Sequence, residues 1–209
     1  MIRILHLVAA IFAAYLIGSI PFGYLAGRVL KGVDIRKHGS GNVGATNVFR
    51  VVGKLPGIAV LLLDILKGYI AVTILVVLFS RANLPVGENT FKILFGLACV
   101  LGHNWTIFLK FKGGKGVAAT VGVLIGLAPA AIAAWAVIWF LVFIATRYVS
   151  LSSLAASVLA PLCALLFKEP KESVILITAL SILIIYRHRS NIKRLLKGEE
   201  PKLSLSGKK

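Results

Sequence analysis

Six apolar stretches, at about residues 4–30, 56–80, 91–109, 116–148, 151–167 and 173–186, make up about two thirds of this chain. A bilayer core is about 30 Å thick and is crossed by about 20 apolar residues in a helix. Backbone groups in lipid must find partners within their own segment, so such stretches cross as helices. The sequence therefore predicts an all-α polytopic membrane protein. The fourth stretch is too long for one crossing, since a single helix of that length would reach roughly 50 Å at about 1.5 Å per residue. Gly126 and Pro129 in its middle predict a hairpin of two shorter helices, which makes about seven transmembrane helices in all. Pro21, with Gly18, Gly23 and Gly27, predicts that the inner half of the first span is bent.

Composition agrees with that reading. Hydrophobic residues make up 58% of the chain and charged residues 15%, against about 25% charged in a soluble domain. Cys99 and Cys163 lie in apolar stretches and read as small buried side chains. The first stretch runs on too far for a cleaved signal peptide. There is no internal repeat. Residues 1–202 read as one integral-membrane domain, and 203–209 as a polar tail expected to be disordered or an appended remnant.

The charge is one-sided. The chain carries 24 Lys and Arg against 7 Asp and Glu, a net +17. That balance suits anionic lipid headgroups and phosphorylated small substrates. Nucleic acid is not expected, because no basic module of that kind appears. With seven spans, 18 of the 24 cations fall together, on the 28–54 and 110–115 loops, Arg147 and the C-terminal tail. The positive-inside rule makes that face cytoplasmic, with the N-terminus outside and the C-terminus in the cytoplasm. One crossing by 116–148 would split these loops and weaken the asymmetry.

Three constellations on that face could carry chemistry. The first is Gly39-Ser-Gly-Asn-Val-Gly-Ala-Thr-Asn-Val-Phe-Arg50. Its Gly39, Gly41 and Gly44 have the spacing of a dinucleotide fingerprint, but the strand and α/β domain which that fingerprint needs are missing. What remains is a glycine-rich loop whose N–H groups can turn toward an anion. Ser40, Asn42, Thr46 and Asn47 add donors, and Arg50 can grip a phosphate with two parallel bonds. A plain inter-helix turn is the other reading.

The second runs from His103 through Lys110 and Lys112 to Gly113-Gly114-Lys115-Gly116, at the start of the fourth span. It is not a Walker A loop, because the earlier glycine is absent and Gly116 stands where Ser or Thr would. A helix N-terminus with Lys115 beside it still favours an anion. Positive-inside decoration is the alternative. The third is Tyr186 to Glu200, where His188, Asn191 and Arg194 share a face if the helix continues. The alternative there is a basic stretch touching lipid. Asp64 and Lys67, inside the second span at i and i+3, read as a structural ion pair or as the floor of a site. The few scattered acids form no cluster for magnesium, so no metal site is expected.

Taken in order, these segments resemble the bacterial membrane glycerol-3-phosphate acyltransferases that use acyl phosphate, the PlsY family. The resemblance rests on Gly18-Ser-Ile-Pro-Phe-Gly23, Gly39 to Arg50, Asp64-Ile-Leu-Lys-Gly68, Gly102-His103 with Lys112 to Val117, and His188 to Arg194. It covers essentially the whole chain. It implies transfer of an acyl group from acyl phosphate to the 1-hydroxyl of glycerol 3-phosphate, the first step of bacterial phospholipid synthesis, at the inner membrane and without a cofactor. It also implies roles for residues. Ser40 and Arg50 would hold a substrate phosphate, and Gly113, Gly114, Lys115 and Gly116 would form a phosphate loop. His188 and Asn191 would orient glycerol 3-phosphate, and Glu200 would be structural. Catalysis would then fall to Ser40, Arg50, Lys115 and His188, with Asn42, Thr46, Asn47, Lys67, His103 and Arg194 also lining the substrates.

An acyl phosphate is already activated, so direct attack by the glycerol hydroxyl is expected, with no covalent acyl-enzyme. The base is expected to be a substrate phosphate rather than His188, since the sequence offers no residue to orient that ring. A transporter or flippase for a phosphorylated compound is the rival reading.

Overall fold

The computed structural model describes residues 2–80 and 87–204. Most of the polar tail, 205–209, and Arg81 lie outside the described residues. The described chain is helical throughout, with no strand, and packs as two compact units divided after Leu127.

The first unit holds α1 (Ile2–Ser19), α2 (Phe22–Lys31), α3 (Ala45–Val51), α4 (Lys54–Val72), α5 (Ile74–Ser80), α6 (Glu88–Asn104) and α7 (Val117–Leu127). Short 3-10 turns at Ile35–Lys37 and Ile107–Leu109 shape two of its loops. The expected bend in the first span is the break between α1 and α2, where Pro21 has no N–H to continue the ladder. A second break, between α4 and α5, lies at Thr73, with no glycine or proline there to announce it. The Thr73 hydroxyl donates to the Tyr69 carbonyl at 2.6 Å, a back-bond that competes with the helix ladder.

Small residues let these helices approach closely, as helices in lipid do. A Cβ on Gly18 would collide with the Cys99 carbonyl of α6, and one on Gly102 with the Tyr15 carbonyl of α1. Gly68 of α4 and Gly122 of α7 lie against each other's helix backbones in the same way. Two apolar clusters result. Ala14, Leu75, Val76, Phe91 and Phe95 pack together among α1, α5 and α6. Ile35, Val43, Val48, Val60 and Leu109 form another beneath the loops.

The second unit holds α8 (Pro129–Thr146), α9 (Val149–Leu166), α10 (Lys171–Arg187) and α11 (Arg189–Leu196). Helix α8 begins on Pro129 at its first turn, one residue after α7 ends, so the expected break in the fourth stretch is present. Helix α9 buries serines and alanines, among them Ser150, Ser153, Ala156 and Ala160. The Trp139 indole donates to the Ser153 hydroxyl at 3.1 Å. Large apolar side chains such as Leu62, Val77, Phe140 and Leu166 face outward, as lipid contact requires.

Five described helical segments are long and apolar enough to cross a membrane: Arg3–Lys31, Lys54–Phe79, Glu88–Leu109, Pro129–Thr146 and Val149–Leu166. The pair α10 and α11, bent by 57°, is a sixth if it counts as one span. The segment expected as the fourth span, α7, has only 11 residues, about 16 Å of helix against a core of about 30 Å.

Candidate active site

In the first unit the loop 32–44 folds around one amide. Asn47 is almost fully buried. Its Nδ2 donates to the carbonyls of Ile35, His38 and Asn42 at 3.2, 3.0 and 2.8 Å, and its Oδ1 accepts from the Ser40 N–H at 2.9 Å. The sequence places Asn47 among the substrate donors. The structure corrects this: its polar atoms are spent on the loop's own backbone. Asn42 likewise turns its Oδ1 to the Gly44 N–H at 2.8 Å. Gly39 and Gly41 take φ of 59° and 70°, where a side chain would be strained. This conformation leaves Ser40 exposed, with Thr46 and Arg50 half-buried on α3.

At the same loop Asp34 caps the 3-10 turn and receives Arg36 through two side-chain bonds of 2.9 and 2.6 Å. The Arg36 guanidinium holds the Asp34 carboxyl far below its ordinary value. Because Asp34 is neutralised in this way, the loop's remaining field is cationic.

The second loop returns on the end of α6. Gly113 N–H donates to the Asn104 carbonyl at 3.1 Å, and Gly114 N–H to the His103 carbonyl at 2.9 Å. Both glycines are required: a Cβ on Gly113 would meet the His103 carbonyl, and one on Gly114 the His103 ring. Gly116, with φ of 86°, turns the chain into α7, and Lys115 beside it is half-buried. Asn104, which sequence reasoning missed, is fully buried against Gly116. Neither of its amide atoms has a hydrogen-bond partner among the described residues. Its only signal was its place between His103 and Trp105.

The structure brings these two loops together. Leu109, from the second, packs in the same cluster as Val43 and Val48 of the first. A small cavity of about 10 Å³ lies between them, lined by Ser19, Pro21, Val43, Asp64, His103 and Thr106. Lys67, expected among the substrate contacts, is held inside the protein. It is 3% exposed, pairs with Asp64 at 2.7 Å and donates to the Ile20 carbonyl at 3.1 Å. The ion pair expected between Asp64 and Lys67 is present, and Asp64 also lines the cavity. His103, also expected among the substrate contacts, is buried behind the loop, with Nδ1 3.5 Å from Asp64.

The second unit builds its site differently. The helix does not run on through His188, as the three-residue spacing assumed; it bends there, and His188 ends α10 and begins α11. The His188 ring is buried, and its Nδ1 lies 2.8 Å from the Ile184 carbonyl. A ring nitrogen at that distance from a carbonyl carries a proton, so in the neutral ring Nε2 is the acceptor. The ring therefore has an orienting group that the sequence did not reveal, a main-chain carbonyl one turn back.

Glu200 closes this unit. Its Oε1 accepts from Ser150 at 2.6 Å and Asn191 at 2.7 Å, and its Oε2 accepts from Arg194 Nε at 2.7 Å. Burial alone would raise the carboxyl, but these three bonds and the Arg194 charge hold it below its ordinary value. Arg194, expected to meet substrate, is tied by Nε to the tail carboxylate. Asn191 shares the same carboxylate, so Glu200 fixes its amide.

Comparison with known proteins bears on the whole chain. Residues 8–198 match the family model described as glycerol-3-phosphate acyltransferase. A glycerol-3-phosphate acyltransferase 2 of Moorella thermoacetica is 48% identical over 195 residues, covering 93% of this chain and 96% of that protein. A glycerol-3-phosphate acyltransferase of Halalkalibacterium halodurans is 48% identical over 197 residues, covering 92% and 93%. Two crystal structures of PlsY, described as an integral membrane glycerol 3-phosphate acyltransferase, are similar in fold. The glycerol 3-phosphate form has a TM-score of 0.84 at 41% identity and covers 95% of this chain and 96% of that one. The lysophosphatidic acid form has a TM-score of 0.81 at 40% identity and covers 95% of each.

Proposed function

Because the chain belongs to the glycerol-3-phosphate acyltransferase family, we propose that it moves an acyl group from acyl phosphate to the 1-hydroxyl of glycerol 3-phosphate. The products are lysophosphatidate and phosphate. The observation that carries this reading is the meeting of two glycine-built loops over one apolar cluster. Both substrates carry phosphate, and each loop has a cation beside it, Arg50 in one and Lys115 in the other, with the Ser40 side chain exposed on the first. Residues 1–202 act as one catalytic domain in this reading. In this reading the short α7 is counted with the crossings, and an external N-terminus and a cytoplasmic C-terminus put the loops on the cytoplasmic face of a bacterial inner membrane, where charge predicts them.

The glycerol hydroxyl oxygen attacks the acyl carbonyl carbon. A carbon–oxygen bond forms there, the bond to phosphate breaks, and phosphate leaves with the electron pair. Lys115, Arg50 and Ser40 hold the phosphates in line and neutralise the charge that builds on the leaving group. His188 and Asn191 orient glycerol 3-phosphate, His188 through Nε2. The hydroxyl proton passes to a substrate phosphate oxygen, whose second pKa of about 6 suits it. The Ile184 carbonyl orients His188 but is neutral, so it supports an imidazolium less than a carboxylate would. A His188→Gln variant should therefore raise the KM for glycerol 3-phosphate more than it lowers kcat. A lost kcat with unchanged KM would make His188 the base.

The test is direct. Purified protein is given acyl phosphate and glycerol 3-phosphate without metal or acyl-CoA, and lysophosphatidate is measured. No product would overturn the proposal.

A further inference from the structure

Asp64, Lys67 and His103 take no part in the chemistry above, yet they lie directly behind the second loop. We propose that Asp64, acting through His103, is the positioning device of the Gly113–Gly116 loop. This rests on the reading that the loop receives a substrate phosphate.

Asp64 and Lys67 are each at most 3% exposed. A buried ion pair adds little net stability, because desolvation offsets its attraction. At membrane depth such groups usually serve a function. Here the geometry points outward from the pair to the loop. Asp64 Oδ1 receives Lys67 at 2.7 Å and faces His103 Nδ1 at 3.5 Å. The opposite edge of the ring, with Nε2, lies against Gly114 so closely that a Cβ there would overlap it. The main-chain carbonyl of His103 accepts from Gly114 as well. His103 thus holds Gly114 by ring and backbone together. The cavity beside the ring has room for about one water at most, so the imidazole has little space to turn away.

Lys67 extends the same device. Its bond to the Ile20 carbonyl fixes the break between α1 and α2, and Gly23, just beyond that break, packs on the Val43 carbonyl of the first loop. One buried carboxylate therefore anchors the turn beneath one loop and the ring behind the other. None of these three side chains is assigned a catalytic role in the mechanism above.

The test uses the full-length protein in detergent. Asp64→Asn, His103→Asn, His103→Gln, Lys115→Ala and the double variant His103→Asn/Lys115→Ala are compared with the wild type. The expected result is a rise of about tenfold, or about 1.4 kcal/mol, in the KM for the same substrate that Lys115→Ala weakens. The kcat of the Asp64 and His103 variants should stay within about twofold. The double variant should fall short of the product of the two single effects, because both act on one loop. His103→Gln, whose amide reaches toward the Nε2 position, should recover part of the loss.

Folded variants with wild-type KM for both substrates overturn the inference, as do fully multiplicative effects. If Asp64→Asn does not fold, the two His103 variants decide alone. If neither asparagine variant folds, His103→Gln with wild-type KM overturns it and a raised KM supports it. A Lys115→Ala that weakens neither substrate overturns both the reading of the loop and this inference. A wild type that makes no lysophosphatidate overturns the function itself, whereas an active wild type with unmoved His103 variants overturns only the positioning role.

Discussion

The two units prepare polar groups by opposite means. The first builds its loops on glycines, braced from behind by buried side chains such as Asn47 and His103. The second presents side chains, held by one carboxylate that takes hydrogen bonds from Ser150, Asn191 and Arg194. The difference lies in what each can tolerate. A backbone site fails when an atom is added. A side-chain clamp fails when one is removed.

The largest expected effect is therefore in the second unit. Glu200→Ala removes an acceptor from three donors and should cost about 3 kcal/mol of stability, read as a lowered thermal midpoint in detergent. An unchanged midpoint would mean that the clamp is not what holds α11. Next comes an addition in the first unit. Gly114→Ala drives a methyl into the His103 ring and should lower kcat/KM about a hundredfold. A fully active Gly114→Ala would show that the loop does not need its close approach to His103.

Arg50→Lys comes third. It keeps the charge but loses the two-pronged grip, so the KM for one phosphate substrate should rise about tenfold while stability holds. Equal KM values would place Arg50 outside the phosphate contacts.

The smallest effect concerns pH. Glu200 has a carboxyl lowered from the ordinary 4.5, so its contribution is fully present above that value. It is lost as pH falls through the lowered folded value. Wild type should lose stability on acidification below about pH 4.5, and Glu200→Gln, which cannot ionise, should lose less over the same range. Parallel acid curves would separate the clamp from Glu200 ionisation.

What the sequence made legible follows the same division. Glycines and prolines act through the backbone and are visible from their identity alone. The bend at Pro21, the break before Pro129 and the glycine-built turns of the two loops were all readable for that reason. The break at Thr73 has no such marker, and its hydroxyl back-bond is one that Thr178 also makes inside an unbroken helix. The short length of α7 depends on where the loop delivers Gly116, a tertiary fact. The clamp was the least readable part. Asn191, Arg194 and Glu200 lie close in sequence, but nothing in their spacing says that a bend at His188 will fold the tail back onto them. Nor did any pattern single out Ser150. Asn47 misled for a related reason: an amide beside glycines looks like a ligand donor, and only its burial shows that it serves its own loop.

The central claim is direct acyl transfer from acyl phosphate to the glycerol hydroxyl, and isotope exchange tests it most directly. The protein is held with acyl phosphate and labelled inorganic phosphate, first without glycerol 3-phosphate and then with it. The expected result is no label in acyl phosphate before the acceptor is added, and lysophosphatidate as soon as it is. Label entering acyl phosphate in the absence of glycerol 3-phosphate would reveal an acyl-enzyme, and would contradict direct attack.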